Sequence, residues 1–279
     1  MRGCRSVVLG WAALLMISCM GTAEVLLESH SRIVILNDTE FTIENGVRGG
    51  TGTADDPYVI SDWTIDSDPS GECIHIEGVE SFFRIERCDL RGANGYAMRL
   101  VGVRSAEISG LCVEDCLFGV LWETCDRCVL RDCAFVGIDW AALTMIGSTG
   151  CEVSGCLLVE GGPAIGLRES STGNRFVGNV FLSGCRTAIR LDVQCGGNLL
   201  ARNDFHGTWC VSDSYNRWTD AEGNGNFWSR YRGEDRDEDG VGDSYYRILG
   251  EAREFDQHPA MTPFHPEAWR ELNPCAMDE

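Results

Sequence analysis

The chain has 279 residues, with 43 Asp and Glu set against 23 cationic residues that are all Arg, and a formal charge of −20. That balance excludes the basic footprint which nucleic acids and anionic lipids require of a partner. A composition 44% hydrophobic and 9% aromatic excludes wholesale disorder, while 15 cysteines raise disulfides, metal clusters and catalytic thiols together.

At the N-terminus, Arg2 and Arg5 precede an apolar stretch from Val7 to Ile17, and small residues follow as far as Ala23. This is the plan of a secretory signal peptide over residues 1–23, with an apolar core too short to serve as a transmembrane span. A second reading takes Met16-Ile17-Ser18-Cys19 as a bacterial lipoprotein signal, which would place a lipid anchor on Cys19. Either reading exports the chain to the periplasm, the cell surface or the extracellular space, where thiols meet an oxidising environment. Removing Cys4 and Cys19 leaves 13 cysteines, an odd number that excludes complete pairing within one chain.

Residues 24–57 read as an N-terminal cap. Arg32-Ile33-Val34-Ile35 and Glu40-Phe41-Thr42-Ile43 have the pattern of short strands, and Gly49-Gly50-Thr51-Gly52-Thr53 follows as a turn. Residues 58–212 carry an internal repeat. Phe83, Ala106, Cys128, Cys151, Asn174 and Asn198 are spaced by 23, 22, 23, 23 and 24 residues. Two residues further on, every copy is apolar: Ile85, Ile108, Leu130, Val153, Phe176, Leu200. A second polar-or-thiol column runs Cys88, Leu111, Cys133, Cys156, Asn179, Asn203, again followed two residues later by apolar side chains. Ile74, Met98, Val120, Leu143, Ile165 and Ile189 supply the other half of each unit.

Apolar positions two apart are the strand period, and no helical spacing intervenes. A unit of about 23 residues made of short strands and tight turns is one rung of a parallel β-helix. The expected fold is therefore all-β: a right-handed parallel β-helix (solenoid) of about 6–7 rungs with an N-terminal cap and an Asp-rich C-terminal cap. Asn at a rung corner can bond exposed peptide groups and stack on its copies, as Asn ladders do in cross-β structures. Five cysteines (88, 128, 133, 151 and 156) share those two columns and read as small buried hydrophobes; disulfides between neighbouring rungs stay open as an alternative. Cys125-x-x-Cys128 has no second pair at zinc-binding spacing.

Residues 213–279 abandon the repeat and read as a C-terminal cap. Within them Asp235, Asp237, Asp239, the Val241 carbonyl and Asp243 fall at alternate positions around Gly240, an arrangement that wraps oxygen ligands around Ca²⁺. The bidentate Glu expected five residues beyond Val241 is replaced by Tyr246, which leaves room for a remote carboxylate such as Asp256. Calcium here would be structural.

Gly52-Thr-Ala-Asp-Asp-Pro57-Tyr58-Val-Ile60 resembles the entry segment of NosD-like secreted β-helix proteins of the pectin-lyase-like superfamily, with PbH1-type repeats. Asn226-Phe227-Trp228-Ser-Arg-Tyr231, the Asp-rich loop, Tyr245-Tyr246 and Asp256-Gln-His-Pro259-Ala-Met261 resemble that family's closing segment in the same order. The resemblance spans about residues 30–265 and implies a periplasmic or surface β-helix; the name-giving member assists copper-site assembly in nitrous oxide reductase.

Three functions follow as expectations. The first is a non-catalytic binding or structural module for a glycan or a cell-surface protein, closed by the calcium cap. The second is a polysaccharide lyase or hydrolase using outward acids among Glu114, Glu123, Asp126, Asp132 and Asp139, with no catalytic pair singled out. The third is copper processing through His258-x-x-Met261-x-x-x-His265, whose borderline and soft donors suit copper. No cofactor-binding residues other than these metal ligands stand out.

Overall fold

A computed structural model describes residues 27–161, 163–182, 184 and 187–267. The signal segment, Cys4, Cys19, Cys185 and Cys275 lie outside the described residues. The chain winds into a parallel β-solenoid. Three sheets run along it: one of nine strands and two of eight. Each rung contributes a short strand to each sheet, and successive rungs pair in parallel register, as Ile85 with Ile108, Ile108 with Leu130 and Leu130 with Val153. The apolar columns read from the sequence are these inward positions, and they are buried. An aromatic file continues from the last rungs into the C-terminal cap: Phe181 on Phe205 (5.0 Å), Phe205 on Trp228 (4.3 Å) and Trp228 on Tyr246 (4.2 Å).

The two polar columns form ladders with one rule: the corner N–H of one rung donates to the side-chain oxygen of the next. Cys151 N–H donates to Asn174 (2.9 Å), Asn174 to Asn198 (2.9 Å) and Asn198 to Asn216 (2.9 Å). In the second column Cys156 donates to Asn179 (3.0 Å), Asn179 to Asn203 (3.0 Å) and Asn203 to Asn226 (3.1 Å). The amide nitrogens of these Asn side chains reach back to carbonyls of earlier rungs, so both ends of each buried amide are satisfied. A third column, missed in the sequence, links Cys125 N–H to Ser148 (3.0 Å) and Ser148 N–H to Ser171 (3.2 Å).

All 11 cysteines among the described residues are buried and free. In the earlier rungs sulfur takes the Asn role: Leu111 N–H donates to Cys133 Sγ (3.4 Å), whose thiol donates to the Arg131 carbonyl (3.1 Å). Burial pushes the Cys73 and Cys88 thiols up to about 12, which removes thiolate reactivity at neutral pH. Replacing Cys133 with Asn, the residue of the same column at position 179, is expected to shift the urea midpoint by an equivalent of about 1 kcal/mol or less. Loss of soluble protein in that variant would instead indicate a required disulfide.

The N-terminal cap departs from expectation in one segment. Ile33–Ile35 is a strand and pairs in parallel with Ile74–Glu77, adding to the solenoid itself. Residues 40–43 are not a strand; the chain makes two 3₁₀ turns, Asp38–Glu40 and Ile43–Asn45. Local side-chain bonds win there. The Asn37 side chain accepts the Thr39 N–H (3.1 Å), and the Asn45 side chain accepts the Val34 N–H (3.3 Å). The turns drop Phe41 onto Tyr58 (4.6 Å) and Phe83 (5.5 Å), which seals that end of the core. Gly50 permits the fold-back: its φ is +88° and a Cβ would lie 2.0 Å from the Pro57 carbonyl oxygen.

Candidate metal centre and C-terminal closure

The solenoid needs an end, because the last rung exposes corner N–H groups with no further rung to receive them. The structure supplies two carboxylates. Asp256 is fully buried and accepts four hydrogen bonds: from Asn226 N–H (2.7 Å), Asn226 Nδ2 (3.1 Å), Trp228 Nε1 (2.9 Å) and His258 N–H (3.1 Å). Glu254 ends the other ladder, accepting from Asn216 N–H and from Trp218 Nε1 (3.0 Å). Burial pushes the Asp256 carboxyl above its ordinary value, and the four donors pull against that shift. The structure places Asp256, the remote carboxylate considered for the calcium shell, in the ladder closure: its Oδ2 takes the Asn226 and Trp228 donors of the last rung and its Oδ1 the His258 N–H.

A third carboxylate, the fully buried Asp204, holds a later segment of the cap. It accepts Phe264 N–H (2.8 Å), His265 N–H (2.8 Å) and His265 Nδ1 (3.3 Å). Nothing in the sequence marked Asp204 or Glu254, because their partners lie 60 and 38 residues away.

The acidic loop sits beside this closure. Asp235, Asp237 and Asp239 bring one carboxylate oxygen each within 4.8 Å of one another. Local bonds shape the turn: Asp239 and Gly240 donate their N–H groups to Asp235 (3.2 and 3.0 Å), and Val241 N–H donates to Asp239 (2.8 Å). Gly240 takes φ +85°, the left-handed corner that a loop folding around an ion requires. Val241 follows that corner. Asp243 accepts the Arg236 N–H (3.0 Å), while the Arg236 guanidinium donates to Glu234 (2.8 Å). The loop is tied to the solenoid through one segment. Gly242 N–H donates to the Pro259 carbonyl (2.9 Å), Met261 N–H to the Gly240 carbonyl (3.0 Å), and Ala260 N–H to the Asn226 carbonyl of the last rung (2.9 Å).

Three carboxylates at that separation repel each other by about 1 kcal/mol per pair even in water. All three are oxygen donors on an exposed turn, the ligand class of hard cations such as Ca²⁺. The donor set does not suit copper. Among the described residues no other group of three histidine, cysteine or acidic side chains brings its ligand atoms so close. The His258 ring faces Thr219 (3.4 Å), and the His265 ring is held by Asp204, whose hydrogen bond raises that histidine above its ordinary value.

The outward acids do not share a face. Glu114 and Glu123 belong to strands of different sheets, Cys112–Glu114 and Phe118–Glu123. Asp126 forms a bridge outside the strands, Asp132 is a left-handed corner (φ 54°), and Asp139 lies in a bend between strands. Arg91 and Arg99 approach Glu114 and Glu123, both at 3.7 Å, as a solvated ion-paired surface would have it.

A family model described as periplasmic copper-binding protein (NosD) matches residues 38–233, well over half of the chain. The chain belongs to the NosD family. No curated protein matches it significantly. The NosD match covers the turn-rich part of the N-terminal cap and the solenoid strands from Val47–Gly49 to Phe227–Trp228, and ends just before Asp235, so the acidic loop lies beyond it. The NosD family is described as periplasmic, and no helix among the described residues is long and apolar enough to cross a membrane.

Proposed function

We propose that this NosD-family chain is an exported, non-catalytic β-helix module that presents its outer face to a glycan or a protein. Ca²⁺ held by Asp235, Asp237, Asp239, the Val241 carbonyl and Asp243 locks its C-terminal end. The gathering of three carboxylates on a loop bonded to the last rung carries this reading. The ion would cancel their repulsion and brace residues 259–261, which in turn hold the rung that contains Asn226 and Trp228. Dispersal of the outward acids over different sheets and corners supports a binding role over hydrolysis, which needs two carboxyls facing one bond.

Copper carriage, which the family description would give the chain, is the competing reading, with His258, Met261 and His265 as its candidate ligands. Elemental analysis of protein purified without chelator separates the two. About one calcium per chain with no copper is the expected result; stoichiometric copper would overturn the proposal.

A further inference from the structure

The eight-stranded sheet that starts at Ile33–Ile35 carries an outward column along the solenoid: His75, Arg99, Leu121, Thr144, Gly166, Arg190, each paired in register with the next. At Gly166 the column loses its side chain. The backbone there is not left-handed, and a Cβ would meet no atom within 4 Å, so neither conformation nor crowding demands glycine. The missing side chain opens a groove of about 110 Å³. Its near wall is a file of aromatic rings, Tyr96, Phe118 and Trp140, with centroids 4.8 and 6.3 Å apart. Trp140 ends the file and is 60% exposed. Across the groove stand Arg168, Arg190 and Asp192. Arg190 donates to Asp192 (2.8 Å) and approaches Asp213 (3.4 Å), and Arg168 lies 4.0 Å from Asp192.

This arrangement selects a ligand chemistry. An exposed indole offers an apolar face to the C–H face of a pyranose ring, as ligand sites use aromatic walls with a few convergent polar groups. Guanidinium donors beside a carboxylate acceptor match adjacent sugar hydroxyls, each of which both donates and accepts. Both arginines already face aspartates, so the groove has no surplus positive charge for a polyanion, and the chain's −20 charge repels one. A peptide added as a strand finds no edge here, because the strands around the groove are paired on both sides. From Tyr96–Val101 to Ile189–Leu191 the face crosses five strands, about 19 Å at the usual strand spacing, which suits an extended chain of sugars.

We propose that this groove binds a neutral oligosaccharide, with one pyranose ring against Trp140 and its hydroxyls bonded by Arg168, Arg190 and Asp192. The inference rests on the reading of the chain as a binding module and gives that reading its face and its ligand class.

Calorimetric titration of the full chain with cellohexaose, mannohexaose and xylohexaose tests it, with oligogalacturonate as the anionic comparator. At least one neutral hexasaccharide is expected to bind. Its affinity is expected to fall about tenfold or more in Trp140→Ala and in Gly166→Leu. The leucine fills the groove without a backbone conflict, so its melting temperature should match that of the native chain. Absence of binding by all three neutral sugars, binding of oligogalacturonate alone, or affinity unchanged in both variants would each overturn the proposal. Calcium-dependent melting measured on the same samples keeps the two failures apart. If calcium still stabilises the chain and no sugar binds, the groove assignment alone falls; if calcium has no effect, the capped-module reading falls on its own.

Discussion

Asp256→Ala is expected to lose about 3–5 kcal/mol of folding stability, the largest effect of any single substitution outside the apolar core. Four N–H donors converge on that one carboxylate, in a site with no solvent exposure. Alanine leaves them unpaired at the end of a ladder in which the corner N–H groups of Cys156, Asn179 and Asn203 are each satisfied by the next rung. Because Asn226 also anchors Ala260 and Trp228 continues the aromatic file, the damage should spread to the cap. Asp256→Asn keeps an oxygen for the Asn226 and Trp228 donors but turns an amide towards His258 N–H, so a smaller loss is expected. Equilibrium unfolding in urea measures both. Equal and small losses in the two variants would show that the closure does not depend on this carboxylate.

The second large effect is conditional on calcium. An ion bound only by the folded chain stabilises it by about 2.7 kcal/mol when free calcium stands at a hundred times its dissociation constant. The double variant Asp237→Asn, Asp239→Asn is expected to lose that gain entirely, since two of the three gathered carboxylates are gone. In chelator the order should change: with the mutual repulsion relieved, the double variant should melt at or slightly above the native chain. Thermal melts of both proteins, each with calcium and with chelator, give the four values needed. A calcium shift retained by the double variant would place the ion elsewhere.

The solenoid was legible because a rung repeats. A spacing of 22 to 24 residues, apolar positions two apart and Asn174 above Asn198 are local regularities that one sequence displays. The cysteines joined the same columns, and the structure gives Cys133 Sγ the acceptor role for the previous rung's corner N–H that Asn179 Oδ1 has in the same column. Where the repeat stops, legibility stops with it. Residues 40–43 have a strand's alternation, yet the side chains of Asn37 and Asn45 bend that stretch into 3₁₀ turns. Asn216 enters its column after only 18 residues, and Glu254 and Asp256 meet the ladders from a segment with no copy elsewhere in the chain. The acidic triad was readable because its oxygens come from a few consecutive residues. The groove was not, because Trp140, Gly166 and Arg190 become neighbours only when the rungs stack.

Calcium titration of the chelator-treated native chain by isothermal calorimetry tests the central claim most directly. One ion per chain, with binding abolished in the Asp237→Asn, Asp239→Asn variant, is the predicted result. A native chain that takes up no calcium would contradict the account.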